Sequence, residues 1–305
     1  MSETPTTAAP VCYRHPSRET WVRCTRCERP ICPDCMREAS VGFQCPECVA
    51  QGARTQRPAR TAFGGGVAGR NGYVTKTLIA LNVVVMLVSI VSARGGDAAF
   101  GGGWGGLLGG STPLTRWGAV LGYASYSLTD PTQHGVAAGE YYRLFTAMFI
   151  HYGILHLALN MWALWVLGRN LEYALGPLRF AVLYVLAGLG GNVAAYLLAA
   201  PNGETAGAST AIFGLFAAIF IVLRKLGRDT SAIIPILIIN LVFTFTVSAI
   251  SWQGHIGGLI VGGIVAVIMA YAPRSQRNLV QFVGCALVFV ALIALTFART
   301  ASLTA

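Results

Sequence analysis

Two sets of residues in this sequence have the types and spacing to do chemistry. One is dispersed through apolar sequence: Ser209, His255, and His156 with Asn160. A serine hydroxyl becomes a nucleophile when a histidine removes its proton, and the same histidine can hand that proton to a leaving amine. His156 and Asn160, spaced i, i+4, project from one face of a helix. Together with the Ser209 N–H at a helix start, they could donate hydrogen bonds to an oxyanion. Each group also has a plain structural reading: Ser209 as a helix cap or interhelical serine, His255 as an interhelical hydrogen bond, and His156 with Asn160 as polar glue between helices.

The other set is Cys12-x2-His15, Cys24-x2-Cys27, Cys32-x2-Cys35 and Cys45-x2-Cys48, eight soft or borderline ligands within 37 residues. Zinc takes four such ligands tetrahedrally. Eight suffice for two closed structural zinc sites, with no position left open for a catalytic water. Seven of the eight cysteines fall in these pairs, while Cys285 stands alone in an apolar run. Paired spacing of this kind points to metal in a reducing compartment rather than to disulfides. A domain this small cannot build an adequate apolar core, and metal binding supplies the missing folding free energy.

The elements that position Ser209 and His255 must be membrane helices. The 305 residues are 54% hydrophobic and only 11% charged, too little polar surface to cover a soluble globule. Residues 1–76 hold 11 of the 22 Lys+Arg and 6 of the 12 Asp+Glu, so the rest is very poor in charge. Apolar runs near 77–93, 144–168, 178–200, 209–223, 231–250, 253–272 and 279–298 predict seven spans, most of them near the ~20 residues that cross a bilayer as helices. The run from Ser209 to Leu223 is short, at roughly 22 Å of helix, which would set Ser209 below the outer surface. Gly258 and Gly262 form a GxxxG face that permits close approach of another helix.

Before the spans, residues 1–10 are expected to lack structure, 11–50 to form the zinc-binding domain, and 51–76 to be a Gly/Arg-rich tether. Met1 to Val11 is polar and Pro-rich, unlike a removable signal peptide. Residues 94–143, with Trp104, Leu107, Leu108, Trp117 and Tyr123, are expected to lie in the outer interface. With the N-terminus inside, twelve Lys/Arg fall in the inner linker and turns and four (Arg94, Arg116, Arg143, Arg299) outside. That asymmetry predicts a cytoplasmic N-terminus and an external C-terminus in the plasma membrane. The net charge of +10 then marks cytoplasmic loops and the lipid headgroup surface rather than nucleic-acid binding.

Residues 74–298 resemble a rhomboid intramembrane protease. The resemblance rests on Gly-x-Ser at 207–209, His-x3-Asn at 156–160 and His-x2-Gly-x3-Gly at 255–262. It implies an all-α multi-spanning fold, a six-helix core plus one C-terminal helix at 77–298. It also implies a Ser209–His255 dyad without a third acidic residue, an oxyanion site from His156, Asn160 and the Ser209 N–H, and Phe213 packed on the His255 ring, with Gly207 and Gly258 shaping the site. No Asp or Glu occurs in any of the apolar runs. The implied substrates are membrane proteins cut in or beside a transmembrane segment. Two departures stand out: Thr210 follows the nucleophile where the family often has Gly, and Tyr142-Arg143 stands where it often has Trp-Arg. Thr210 could narrow the pocket or alter the helix start. The rival readings are an inactive relative that binds client helices, and a zinc-finger adaptor merely anchored by helices.

The cysteine-rich segment resembles a B-box-type zinc finger over about forty residues. That resemblance implies interleaved ligation, with the first and third pairs on one ion and the second and fourth on the other. Trp21, Ile31 and Phe43 are the expected small core, and a cytosolic protein the expected partner.

Overall fold

The computed structural model describes residues 8–56, 59–67, 72–93, 110–125, 132–247 and 250–305. Most of the N-terminal tail, Arg57, Arg70, Arg94, Trp104, Leu107 and Leu108 lie outside the described residues. The chain divides into two compact units, Met1–Ala59 and Arg60–Ala305.

The first unit is two small hairpins and a helix. Strand β1 (Val11–Cys12) pairs with β2 (His15–Glu19), and β3 (Arg37–Glu38) with β4 (Phe43–Gln44), both antiparallel. Helix α1 (Pro46–Thr55) follows, with Pro at its first position and the Cys45 sulfur accepting from the Cys48 N–H. Its interior is Ile31 and the cysteines. Trp21 is 67% exposed and Phe43 37% exposed, so of the three residues expected to form the core only Ile31 does. Two ligand knots already occupy the centre of so short a segment, leaving no room for a Trp ring.

The second unit is helical: α2 (Tyr73–Ser92), α3 (Pro113–Gly118), α4 (Arg143–Thr146), α5 (Ile154–Leu175), α6 (Pro177–Leu198), α7 (Ser209–Lys225), α8 (Ile233–Thr246), α9 (Trp252–Tyr271) and α10 (Arg277–Thr304). Among the described residues α2, α6, α9 and α10 are each long and apolar enough to cross a membrane. Two expectations change. The run expected as one span from 144 to 168 is broken: Arg143–Phe149 and Ile154–Leu175 meet at 89°, and the helix restarts after Gly153 at φ 84°, a left-handed geometry that glycine adopts without a Cβ clash. Among its described residues, the run expected at 231–250 holds the 14-residue α8 and no longer helix.

The expected tether between the units is partly built in. Residues 51–55 extend α1. Arg60 pairs with Gly66 in an isolated bridge, and Phe63 between them is buried in the helical core. Gln281 Nε2 donates to the Phe63 carbonyl at 3.2 Å and to the Met269 carbonyl at 2.8 Å.

Two charged groups buried inside the helical unit are held by hydrogen bonds. Arg143, 2% exposed, donates to the Glu140 carboxylate and to the carbonyls of Arg116 and Ala119 at 2.6–2.9 Å. Trp117 stacks on Tyr142 at 4.8 Å, so Glu140-Tyr141-Tyr142-Arg143 anchors the described part of the loop. Partial burial works against ionisation of Glu140, but the Gly135 N–H and the Arg143 guanidinium hold its carboxyl below the usual range. Glu172, fully buried, accepts from the Val74 and Thr75 N–H groups at 2.9 Å and the Thr75 hydroxyl at 2.8 Å. A carboxylate from α5 thus caps the start of α2, which has no side-chain cap of its own.

Replacing Glu172 by Ala strands two N–H donors and a hydroxyl. At roughly 1–3 kcal/mol for each stranded buried group, the Glu172→Ala protein is expected to show a clearly lower thermal unfolding midpoint in detergent, with Glu172→Gln intermediate.

Candidate active site and metal centres

Ser209 is the first residue of α7, and two backbone N–H groups hold the turn before it. The Gly207 N–H donates to the Ala147 carbonyl at 2.9 Å, and the Ala208 N–H faces His151 Nε2 at 3.4 Å. Gly207 itself has φ 140°, and a Cβ there would lie 3.0 Å from the His156 ring and 3.3 Å from Ser209 Oγ. Only glycine allows this backbone to pass between His156 and Ser209.

Across the bundle, Ser251 caps α9 by accepting from the Gly254 N–H at 3.3 Å, and His255 sits in the first turn. Its Nε2 lies 2.8 Å from Ser209 Oγ. Phe213, one turn along α7 from Ser209, stacks on the imidazole with centroids 4.1 Å apart and planes at 18°. The ring is therefore held by a face contact and by hydrogen bonds at both nitrogens, since Thr244 Oγ1 lies 2.8 Å from Nδ1.

The approach of α7 to α9 sets this geometry. A Cβ on Gly258 would fall 1.9 Å from the Thr210 carbonyl oxygen, and one on Gly262 would fall 2.3 Å from Gly214 Cα. The α6 helix closes in the same way, with Gly191 against the Gly254 carbonyl and Gly257 against Ala194. Thr210 packs into this three-helix contact: its Cβ lies 2.6 Å from where a Gly191 Cβ would be. The extra methyl fills space that a glycine on α6 leaves open, and α7 still begins at Ser209.

His156 lies on the other side of Ser209, beyond Gly207. Its Nδ1 faces the Tyr152 N–H at 3.4 Å, an arrangement that leaves the proton on Nε2, and Nε2 lies 3.0 Å from where a Gly207 Cβ would be. Asn160 is buried in the next turn and donates from Nδ2 to the His156 carbonyl at 2.8 Å. The structure brings together Ser209, His255, His156, Gly207, Phe213 and Gly258, while Asn160 places one amide proton on its own helix and has one left to offer. Two residues enter the site without having been assigned to it from the sequence. His151 meets His156 edge to face at 5.0 Å because the chain breaks between α4 and α5; its spacing of five residues carries no signal on a continuous helix. Thr244 comes from a separate helix, and nothing in its local sequence separates it from an ordinary hydroxyl folded back on its own helix.

The cysteine and histidine ligands gather as two groups, Cys12, His15, Cys32 and Cys35, and Cys24, Cys27, Cys45 and Cys48, with the ligand atoms of each within 4.8 Å of one another. His15 Nδ1 lies 3.2, 3.4 and 3.8 Å from the sulfurs of Cys32, Cys35 and Cys12, and the Cys27 and Cys45 sulfurs are 3.8 Å apart. A tetrahedron with metal–sulfur bonds of ~2.3 Å has edges of about 3.8 Å, so both groups fit a four-coordinate ion. Backbone N–H groups point at the sulfurs, as from Cys45 to Cys24 at 3.2 Å. Burial would raise the Cys24 thiol, yet the N–H groups of Cys45, Arg26 and Cys27 outweigh it and bring the pKa down to about 6.

The Rhomboid domain family matches residues 138–272. The chain is 42% identical over 148 residues to rhomboid protease GluP of Bacillus subtilis (strain 168), covering 46% of this chain and 28% of that protein. It is 34% identical over 148 residues to putative rhomboid protease YdcA of the same organism, covering 47% of this chain and 74% of that one. It is also 30% identical over 169 residues to inactive rhomboid protein 1 of Bos taurus, covering 51% and 19%. The chain belongs to the rhomboid family, a family of intramembrane proteases acting on transmembrane substrates that also has inactive members. It is a multi-pass membrane protein with a small Cys/His-rich unit at its N-terminal side.

The Gly258 contact gives a sharp expectation. Gly258→Ala must push α9 away from α7 and lower the thermal midpoint in detergent by several degrees. Gly263→Ala, whose Cβ would meet nothing closer than 3.5 Å, is expected to leave the midpoint unchanged.

Proposed function

We propose that this protein is an intramembrane serine endopeptidase that cuts transmembrane segments of membrane proteins with a Ser209–His255 dyad. The observation that carries the reading is the 2.8 Å contact between Ser209 Oγ and His255 Nε2, with the serine at a helix start and His156 beyond Gly207. Ser209 Oγ attacks the scissile carbonyl as its proton passes to His255 Nε2. The oxyanion is met by the Ser209 N–H at the helix start, His156 Nε2–H and the free amide proton of Asn160. His255 then protonates the leaving amine, the acyl-enzyme forms, and a water activated by the same histidine releases the second product. An extended substrate backbone is required, because a helical carbonyl is already hydrogen-bonded and shielded.

Two structural zinc ions complete the reading, one in each group of four ligands. Bound zinc supplies folding free energy to the N-terminal unit and takes no part in proteolysis. The charge asymmetry of the turns supports a cytoplasmic N-terminus and an external C-terminus in the plasma membrane. Trp21 and Val41, exposed in the first unit, favour contact with a cytosolic protein.

In liposomes holding a reporter with one transmembrane segment, Ser209→Ala and His255→Ala are each expected to reduce cleavage by roughly 10⁴-fold or more, and His156→Ala by about 10²–10³-fold. Undiminished cleavage by either dyad variant would sink the mechanism. Labelling by a fluorophosphonate probe that vanishes in Ser209→Ala separates an active enzyme from an inactive client-binding relative.

Elemental analysis of the purified full chain should find two zinc ions per molecule. Cys35→Ser should lower that to one, since the two ligand groups share no residue. Retention of both ions would refute the assignment of ligands.

A further inference from the structure

We propose that Thr244 is a positioning residue that fixes the tautomer of His255 and so makes the base competent. The inference rests on the reading of Ser209 and His255 as nucleophile and base. Four groups form one line of short contacts. Asn240 O lies 2.8 Å from Thr244 Oγ1, Thr244 Oγ1 lies 2.8 Å from His255 Nδ1, and His255 Nε2 lies 2.8 Å from Ser209 Oγ.

Three contacts need three protons, and a neutral set supplies three: one on threonine, one on imidazole, one on serine. The Asn240 carbonyl can only accept, so the threonine proton must lie on that contact. Thr244 Oγ1 can then meet Nδ1 only by accepting, which places the imidazole proton on Nδ1. Nε2 is left with its lone pair toward Ser209, and the serine proton fills the last contact. Any other assignment sets two lone pairs or two protons against each other at 2.8 Å. The sole arrangement that satisfies the line is the one in which His255 can take a proton from Ser209.

The place of Thr244 in the fold makes this contact specific. It is the only buried residue of α8, and it is 2% exposed. The rest of that helix is largely apolar and turned outward, with Ile238, Ile239, Val242, Phe243 and Phe245 all more than half exposed. Thr244 is therefore the point at which α8 touches the chemistry. Among the described residues no carboxylate bonds to His255, so the hydroxyl occupies the place beyond Nδ1 that an acid would fill in a triad.

The test compares Thr244→Val, which keeps the shape and removes the hydroxyl, with Thr244→Ser, which keeps the hydroxyl. With the liposome reporter, Thr244→Val is expected to lose roughly tenfold to a hundredfold in kcat, within what a positioned general base supplies, while KM holds and Thr244→Ser retains most of the rate. Equal kcat for Thr244→Val and the unaltered protein overturns the proposal, as does a Thr244→Ser protein as slow as Thr244→Val. A second readout is independent of proteolysis and of how the valine variant folds. Nitrogen-15 NMR of histidine-labelled protein, with the His255 signal identified by its loss in His255→Ala, should show the proton on Nδ1; a proton on Nε2 overturns the assignment. Failure of the dyad itself would show separately, as undiminished cleavage by Ser209→Ala while the His255 tautomer still reports on Thr244.

Discussion

The contact on which the rest of the site depends is backbone against backbone, where Gly258 of α9 meets the Thr210 carbonyl of α7. A Cβ at Gly258 would lie 1.9 Å from that oxygen, so helices of ordinary composition could not approach so closely. In lipid, where apolar side chains gain little by leaving their surroundings, close packing of small residues is a principal force between helices. The same contact sets the distance between the first turns of α7 and α9, and so brings a serine on one helix within 2.8 Å of a histidine on the other. Packing and chemistry are one constraint here, since Ser209 and His255 both stand on the helices that meet at this contact.

The glycines of α6 extend that constraint to a third helix. Gly191 lies against Gly254 and Thr210, and Gly257 against Ala194. Thr210 is tolerated after Ser209 because α6 offers a glycine opposite it. The turn before α7 is fixed from outside the three helices, by the Ala147 carbonyl and His151. Both lie on the stretch where the chain bends by 89°. That stretch is itself tied down: Asn192 on α6 donates to the Leu144 carbonyl at 2.8 Å, and Thr146 donates to the Gly118 carbonyl at 2.7 Å. The break in the expected second span is thus part of how Ser209 is held.

What could be read from the sequence follows from which interactions are local. Ser209, His255, His156 and Asn160 could be picked out as candidates because a polar group in a charge-poor apolar run is costly and needs a reason. The ligand pairs were legible because metal ligation demands particular atoms at short spacing. The contribution of Thr244 was not, since its partner lies on another helix and a threonine in a helix is commonly satisfied by its own backbone. Phe63 was hidden in a Gly/Arg-rich stretch whose composition reads as a tether, yet it is 3% exposed in the helical core. Trp21 failed in the opposite direction: a large aromatic beside metal ligands reads as core, but the ligands fill the centre themselves.

The line from Asn240 to Ser209 also suits the medium. In the proposed mechanism a carboxylate behind His255 would stabilise the imidazolium formed during attack, but an unpaired anion in low-dielectric surroundings costs several kcal/mol before any chemistry begins. A hydroxyl whose own proton is held by a backbone carbonyl directs the imidazole without bringing in charge. In the proposed mechanism its dipole would give less support to the transient cation than an acid would, so orientation and exclusion of water would carry more of the catalysis. Phe213, stacked on the ring at 4.1 Å, contributes there, since a π face stabilises an adjacent cation without a charge that must be solvated in the resting state. The arrangement exchanges electrostatic strength for a ground state that can remain neutral within a membrane.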